Sequence, residues 1–439
     1  MFAVCRTRFE SKVMVAVMAL LLLVAAGPTA AYARKKPKNV APSKPVERDP
    51  KLTDFNLSKI VFPNPPSIAR VKTIGYYIGE PIPKDTKKAI PKGGWMDRLA
   101  GSKPVRERKD VKIPFQLIAP NGIAEDSKGL VYAADYRVGA VFVFNPETQE
   151  SHLIANHRDA NFKLINGLAI DDSDRLFIAD SGFHHVLVYN IPANKVEDVI
   201  EGGLITPNGL AVDNDNRYLY VADSDLDQVL VYDLDSLKLL RKIGTTGKDH
   251  HLTAPGELAW PTGVAVDPDG NLYVTDTLND RVEIFDADGQ FVSAFGKECD
   301  APGCMQRPKG IAIDSDGHVW VVDTMMARVQ VYDRQGRVMI SFGGFGKYPG
   351  EFSDLAGIMI DKNNRVFTSE MQPGRIQMFR YITDAEAAAE KQRREAERMK
   401  KAEAREAPAD KPASQATPSA VQQMQKDIAA RKASQQTTQ

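Results

Sequence analysis

Residues 308–342 read PKGIAIDSDGHVWVVDTMMARVQVYDRQGRVMISF, and the pattern in this stretch decides the fold. Apolar and polar residues alternate in short runs rich in Val, Ile and aromatics, which is strand chemistry rather than helix chemistry. The spacing predicts strands at 310–314 and 319–323, joined through an Asp316-Gly317 hairpin turn. A third strand is expected at 328–332 and, after Gln335-Gly336, a fourth at 338–342.

The unit recurs along the chain. PNGIAED at 120–126, INGLAID at 165–171 and PNGLAVD at 207–213 open three such segments. PTGVAVD at 261–267, PKGIAID at 308–314 and LAGIMID at 355–361 open three more. Their glycines, Gly122, Gly167, Gly209, Gly263, Gly310 and Gly357, stand 45, 42, 54, 47 and 47 residues apart. Each second strand ends in an acid: Asp135, Asp180, Asp223, Asp276, Asp323 and Glu370. Four antiparallel strands per repeat of about 45 residues is the signature of a propeller blade. The expected fold is all-β: a six-bladed β-propeller of four-stranded antiparallel blades over residues 113–383.

The sixth unit has no fourth strand, because Tyr381-Ile382 runs into a helix-forming segment. Upstream, RVKTIGYYIG at 70–79 resembles the fourth strand RVMISFG at 337–343. An N-terminal strand at 71–78 is therefore expected to close the last blade, so that no sheet edge is left open.

Composition sets the outer limits. Among 439 residues the charges balance at 57 basic and 57 acidic, with 43% hydrophobic residues and three Cys. Such a chain is too apolar for general disorder and too charged for a membrane bundle. The balance is an average of unlike parts. Residues 34–112 carry 20 basic and 8 acidic side chains, whereas 113–383 carry 23 basic and 39 acidic ones. A ring this acidic repels nucleic-acid backbones and suits a cation or a basic partner.

The N-terminus reads as an export signal over 1–33. Arg6, Arg8 and Lys12 precede a 14-residue apolar run at 13–26, and Ala31-Tyr32-Ala33 offers a cleavage site. An uncleaved membrane anchor is the rival, but the run is shorter than the ~20 residues a span needs. The expected location is periplasmic or extracellular, where Cys299 and Cys304 would form one disulfide. Residues 34–53 read as a Lys/Pro-rich tether, and 54–112 as a lead-in carrying the closing strand and a basic arm with a short helix at 94–100. A charged helix at 384–407 and a disordered tail at 408–439 complete the domain plan. A monomeric ring is expected.

The combined motifs P-x-G-[IVL]-A-[IV]-D, [LV]-[YFW]-V-[ATV]-D-[ST] and R-[VI]-x-[VI]-[FY]-D resemble the NHL-repeat family of six-bladed propellers, over residues 70–79 and 113–381. The lead-in and length are similar to those of exported bacterial propellers often found beside multihaem cytochromes. That resemblance implies a protein partner, a member of an extracytoplasmic electron-transfer (cytochrome) complex.

Two sets of residues invite a chemical reading. The repeated acids stand five residues before Arg281, Arg328 and Arg375, and a pairing used once per blade reads as architecture; His185 occupies the same slot in the second blade. The residues preceding the repeat glycines are Asn121, Asn166, Asn208, Thr262, Lys309 and Ala356, and they should ring one mouth of the central channel. The 207–224 stretch is similar to gluconolactonase-like propellers, which implies that its asparagine binds a catalytic divalent ion such as calcium. Those enzymes add carboxylates from other blades, where this chain has Thr262; a neutral ring binds calcium weakly. The bland alternative is that Asn-Gly simply makes a turn. Residues 180–186 are similar to an amidating lyase whose equivalent of His184 binds zinc, but further histidines at the blade starts are lacking. No nucleophile–base pair or phosphate loop is present. The leading expectation is an exported scaffold that binds a protein or ligand with no cofactor of its own. The alternative is a metal-dependent hydrolase or lyase at the channel mouth.

Overall fold

The computed structural model describes residues 55–80, 115–155, 161–245, 250, 253–299, 301–406 and 422–429. The segments read as an export signal, a tether and a basic arm, and most of the C-terminal tail, lie outside the described residues. Six antiparallel sheets form the propeller, each four strands deep from the channel outward, the sixth with one short strand more. The first blade runs from Pro120–Glu125 on the channel through Val131–Asp135 and Ala140–Phe144 to Ser151–Ala155. In the fifth, the strands are Pro308–Ile313, Val319–Asp323, Arg328–Tyr332 and Val338–Gly343, close to the spacing read from sequence.

The ring closes as its two ends require. Val71–Tyr77 becomes the fourth strand of the sixth blade, pairing antiparallel with Arg375–Tyr381 so that Val71 faces Tyr381 and Tyr77 faces Ile376. A two-residue strand, Val61–Phe62, then covers the outer edge of this sheet. Two residues carry no periodicity, so the sequence pattern does not mark this strand.

Packing occurs between blades rather than within them. Six buried apolar clusters each bridge one pair of neighbouring blades. At the seam, Ile376 and Met378 of the sixth blade pack with Val131 and Phe142 of the first. Tyr77 stacks on Phe144 there with ring centroids 4.0 Å apart. Each fully buried side chain of this size contributes about 1.5–3 kcal/mol, so the closing strand is held chiefly by its apolar face.

The repeat glycines explain how six inner strands fit around one channel. A Cβ on Gly167 would overlap the carbonyl oxygen of Asn208, and one on Gly357 would overlap that of Asn121. Every repeat glycine meets the next blade's inner strand in the same way, so hydrogen is the only side chain the approach admits.

The repeated acids are structural, as expected. Asp135 accepts the backbone N–H groups of Ile118 (2.6 Å), Ala119 (3.0 Å) and Val138 (2.9 Å), tying the inter-blade loop to its sheet. Arg281 reaches Asp276 at 2.8 Å and Arg375 reaches Glu370 at 2.6 Å. The fifth blade departs from this pairing. Arg328 donates to the Cys304 carbonyl at 3.2 Å, while Asp323 is satisfied by the Gln306 and Met326 amides. The loop holding the Cys299–Cys304 disulfide supplies the acceptor that draws the guanidinium away.

The C-terminal helix Asp384–Glu406 starts with a reciprocal cap, Glu386 N–H to Thr383 Oγ1 and Thr383 N–H to Glu386 Oε2. Its root is fixed on the ring by Arg70, which bonds the Ile382 carbonyl, Tyr381 and Asp384. Glu390 pairs with Arg394 at 2.8 Å, and Glu397 faces Arg393 one turn away at 3.7 Å. Residues 422–429, inside the tail read as disordered, form a short helix; the run lacks Gly and Pro and is rich in helix formers.

Candidate functional site

The strand register builds the site. Pro120 pairs with Asp135, Pro207 with Asp223 and Pro308 with Asp323, so each inner strand begins beside the acid that ends the second strand. All inner strands therefore start at one mouth of the channel. The six residues preceding the repeat glycines, Asn121, Asn166, Asn208, Thr262, Lys309 and Ala356, line a single cavity of about 260 Å3 there. The sequence-derived set is thus brought together in full.

A polar collar orients these side chains. Asn166 Nδ2 donates to Ser181 Oγ at 3.0 Å, and Asn208 Nδ2 donates to Ser224 Oγ at 3.2 Å. Ser224 Oγ donates in turn to the Pro261 carbonyl at 2.7 Å. Thr262 Oγ1 and Thr277 Oγ1 lie 2.7 Å apart, and Thr277 donates to the Pro308 carbonyl at 2.7 Å. Asn121 Nδ2 lies 3.4 Å from Asn166 Oδ1. The collar hydroxyls of Ser181, Ser224 and Thr277 come from the residue after the acid in the second, third and fourth blades, the Ser/Thr position of the second-strand motif.

Among the described residues Lys309 is the one charged side chain lining the cavity, and its Nζ makes no hydrogen bond or ion pair with any of them. The carboxylates behind the collar face elsewhere. Asp180 is spent on the amides of Lys163, Leu164 and Gly182, and Asp223 on those of Ile205 and Thr206. Burial pushes the Asp223, Asp276 and Asp323 carboxyls upward in pKa despite these bonds.

Sequence reasoning missed Trp260, which also lines the cavity. It adopts φ 56°, held by its N–H donating to Asp227 Oδ1 at 2.8 Å. His250 bonds the same carboxylate at 2.6 Å and meets the indole edge-on at 4.9 Å, behind the cavity wall. An aromatic two residues before the repeat threonine was the available signal. The other candidate, His184, bonds the Ile205 carbonyl through Nδ1 and stands apart from the cavity lining.

Residues 105–296 and 245–343 match the model of the SMP-30/gluconolactonase/LRE-like region. The chain belongs to this SMP-30/gluconolactonase-like family. A comparison with curated proteins finds no match. Among solved structures, a streptogramin B lyase is similar at 12% identity and TM-score 0.46, over 62% of this chain and 95% of that one. Virginiamycin B lyase from Staphylococcus aureus is similar at 13% identity and TM-score 0.45, over 60% and 95%. Hydrazine synthase of Kuenenia stuttgartiensis is similar at 14% identity and TM-score 0.45, over 63% and 100%.

The resemblance to gluconolactonase-like propellers implies a divalent cation at this mouth, and the donor set does not fit one. Calcium takes six to eight oxygens, with carboxylates supplying the charge. Here the collar offers amides, a hydroxyl and an ammonium, and the nearby carboxylates are committed to backbone amides. Among the described residues no cluster of three His, Cys, Asp or Glu side chains is arranged to hold a metal.

Proposed function

We propose that this member of the SMP-30/gluconolactonase-like family is an exported, NHL-type binding propeller that docks a protein partner on its mouth face and performs no chemistry of its own. One observation carries the reading. Each blade places a large apolar side chain in solvent on the loops around the mouth: Ile118, Phe183, Ile205, Leu278, Met325 and Phe345. Phe345 is 77% exposed and Met325 64% exposed, the two highest values for large apolar side chains among the described residues of the ring. The cavity inside this crown presents amides, a hydroxyl and an ammonium, groups suited to hydrogen bonding rather than to proton abstraction or nucleophilic attack.

The partner class proposed is a protein of an extracytoplasmic electron-transfer assembly, on the strength of the NHL-type motifs. The acidic ring gives such docking an electrostatic component that weakens with salt. The rival, a metal-dependent hydrolase, draws support from the family itself.

The test is mild crosslinking in the source organism followed by purification of the tagged chain. A defined partner should be recovered with the wild type and lost from a Met325→Ser/Phe345→Ser variant whose melting temperature is unchanged. Recovery of the same proteins with both forms, or of none with the wild type, would contradict the proposal.

A further inference from the structure

We infer that the channel mouth receives an oxyanion, a carboxylate or phosphate group, and that Lys309 selects it; this rests on the binding role above and gives that site its ligand chemistry. The collar bonds turn the amide nitrogens of Asn166 and Asn208 into the wall, towards Ser181 and Ser224. Thr262 is likewise committed to Thr277 and Thr275. What remains facing the cavity with an unmet electrostatic demand is the Lys309 ammonium, half-buried and unpaired among the described residues. A charge drawn partly out of water gains most from a counter-charge in contact with it.

No described residue supplies that counter-charge. Asp276 is bonded to the Ala259 amide, Asn279 and Arg281, and Asp323 to the Gln306 and Met326 amides. Both are fully buried behind the inner strands. On this inference a ligand brings the negative group. The same ammonium repels a divalent ion, so the mouth has the opposite charge preference from the cation site that the family resemblance implies. The cavity of about 260 Å3 equals roughly nine water volumes, enough for a small organic acid, a phosphate or an acidic side chain of a docked protein.

Isothermal titration of the purified chain at low ionic strength, with citrate, inorganic phosphate, acetyl-aspartate amide and calcium chloride, tests this. At least one of the three anions should bind, weakening roughly tenfold or more in Lys309→Met, as for the loss of a charge-assisted hydrogen bond. Affinity should also fall with added sodium chloride and be unchanged in Lys195→Met, on the outer strand of the second blade. Binding of acetyl-aspartate amide in preference to the others would assign the anion to a protein side chain; preference for citrate or phosphate would assign it to a free metabolite. The inference is overturned if none of the anions binds, if Lys309→Met binds them as the wild type does, or if calcium binds at a site lost in Asn208→Ala. Anion binding without any crosslinked partner would overturn the docking role alone, and a partner without anion binding would overturn this inference alone.

Discussion

Gly357 of the last blade packs against the carbonyl of Asn121 in the first, and Ser369 donates its hydroxyl to that same oxygen. The contact repeats around the ring, but only here does it join residues more than 200 positions apart in sequence. Gly357→Ala should therefore act on ring closure as well as on local packing. Overpacking of this kind costs about 1–3 kcal/mol, and Gly167→Ala should behave alike because its Cβ would meet Asn208. Thermal denaturation of both variants checks this, and wild-type melting temperatures would argue against the close approach.

The closing strand supports a second expectation. Removing residues 34–80 uncovers Arg375–Tyr381 as an open sheet edge and takes away the Tyr77–Phe144 stack. Stability should fall by several kcal/mol, on the order of two buried side chains or more, and the truncated chain should aggregate. A soluble truncation with an unchanged melting temperature would show that the ring closes without this strand.

Glu283 gives the fold a pH dependence. The side chain is fully buried, and desolvation pushes its carboxyl from 4.5 up to about 7 even with Arg281 at 2.8 Å. A raised carboxyl pKa means that the folded chain holds this proton more tightly than the unfolded one. Its contribution to stability thus falls as pH climbs from 4.5 through about 7. Glu283→Gln should match the wild type near the acidic end of this window and exceed it above the window by on the order of 1–3 kcal/mol. Parallel stability curves for the two proteins would contradict the assignment.

The disulfide should matter little to the ring. Cys299 and Cys304 close a very small loop, worth roughly 2 kcal/mol in the chain-entropy model. Replacing both by Ser should lower the melting temperature slightly and leave the strand content intact by circular dichroism. Global unfolding of that variant would mean that the loop does more than brace Arg328 through the Cys304 carbonyl.

The sequence made the blades legible because each repeats one glycine, one acid and one alternating pattern, six times over. The mouth residues were legible for the same reason, since position within a repeat fixes position in the ring. Features without periodicity escaped. Trp260 enters the cavity through a single αL residue, and Val61–Phe62 is too short for any pattern. The pairing of Arg328 depends on a loop carbonyl 24 positions away, which no strand rule anticipates. The apolar crown is likewise scattered in sequence, one residue per blade in loops of unequal length, and becomes a surface only when the ring brings those loops to one face.

The proposed role of the mouth is binding without catalysis. Hydrolysis of simple lactones and esters, followed with calcium and again with a chelator, tests it most directly, using the wild type beside Asn166→Ala/Asn208→Ala. No turnover above background is expected in either protein, with calcium making no difference. Calcium-dependent hydrolysis by the wild type that disappears in the double variant would contradict it and place this chain among the metal-dependent enzymes.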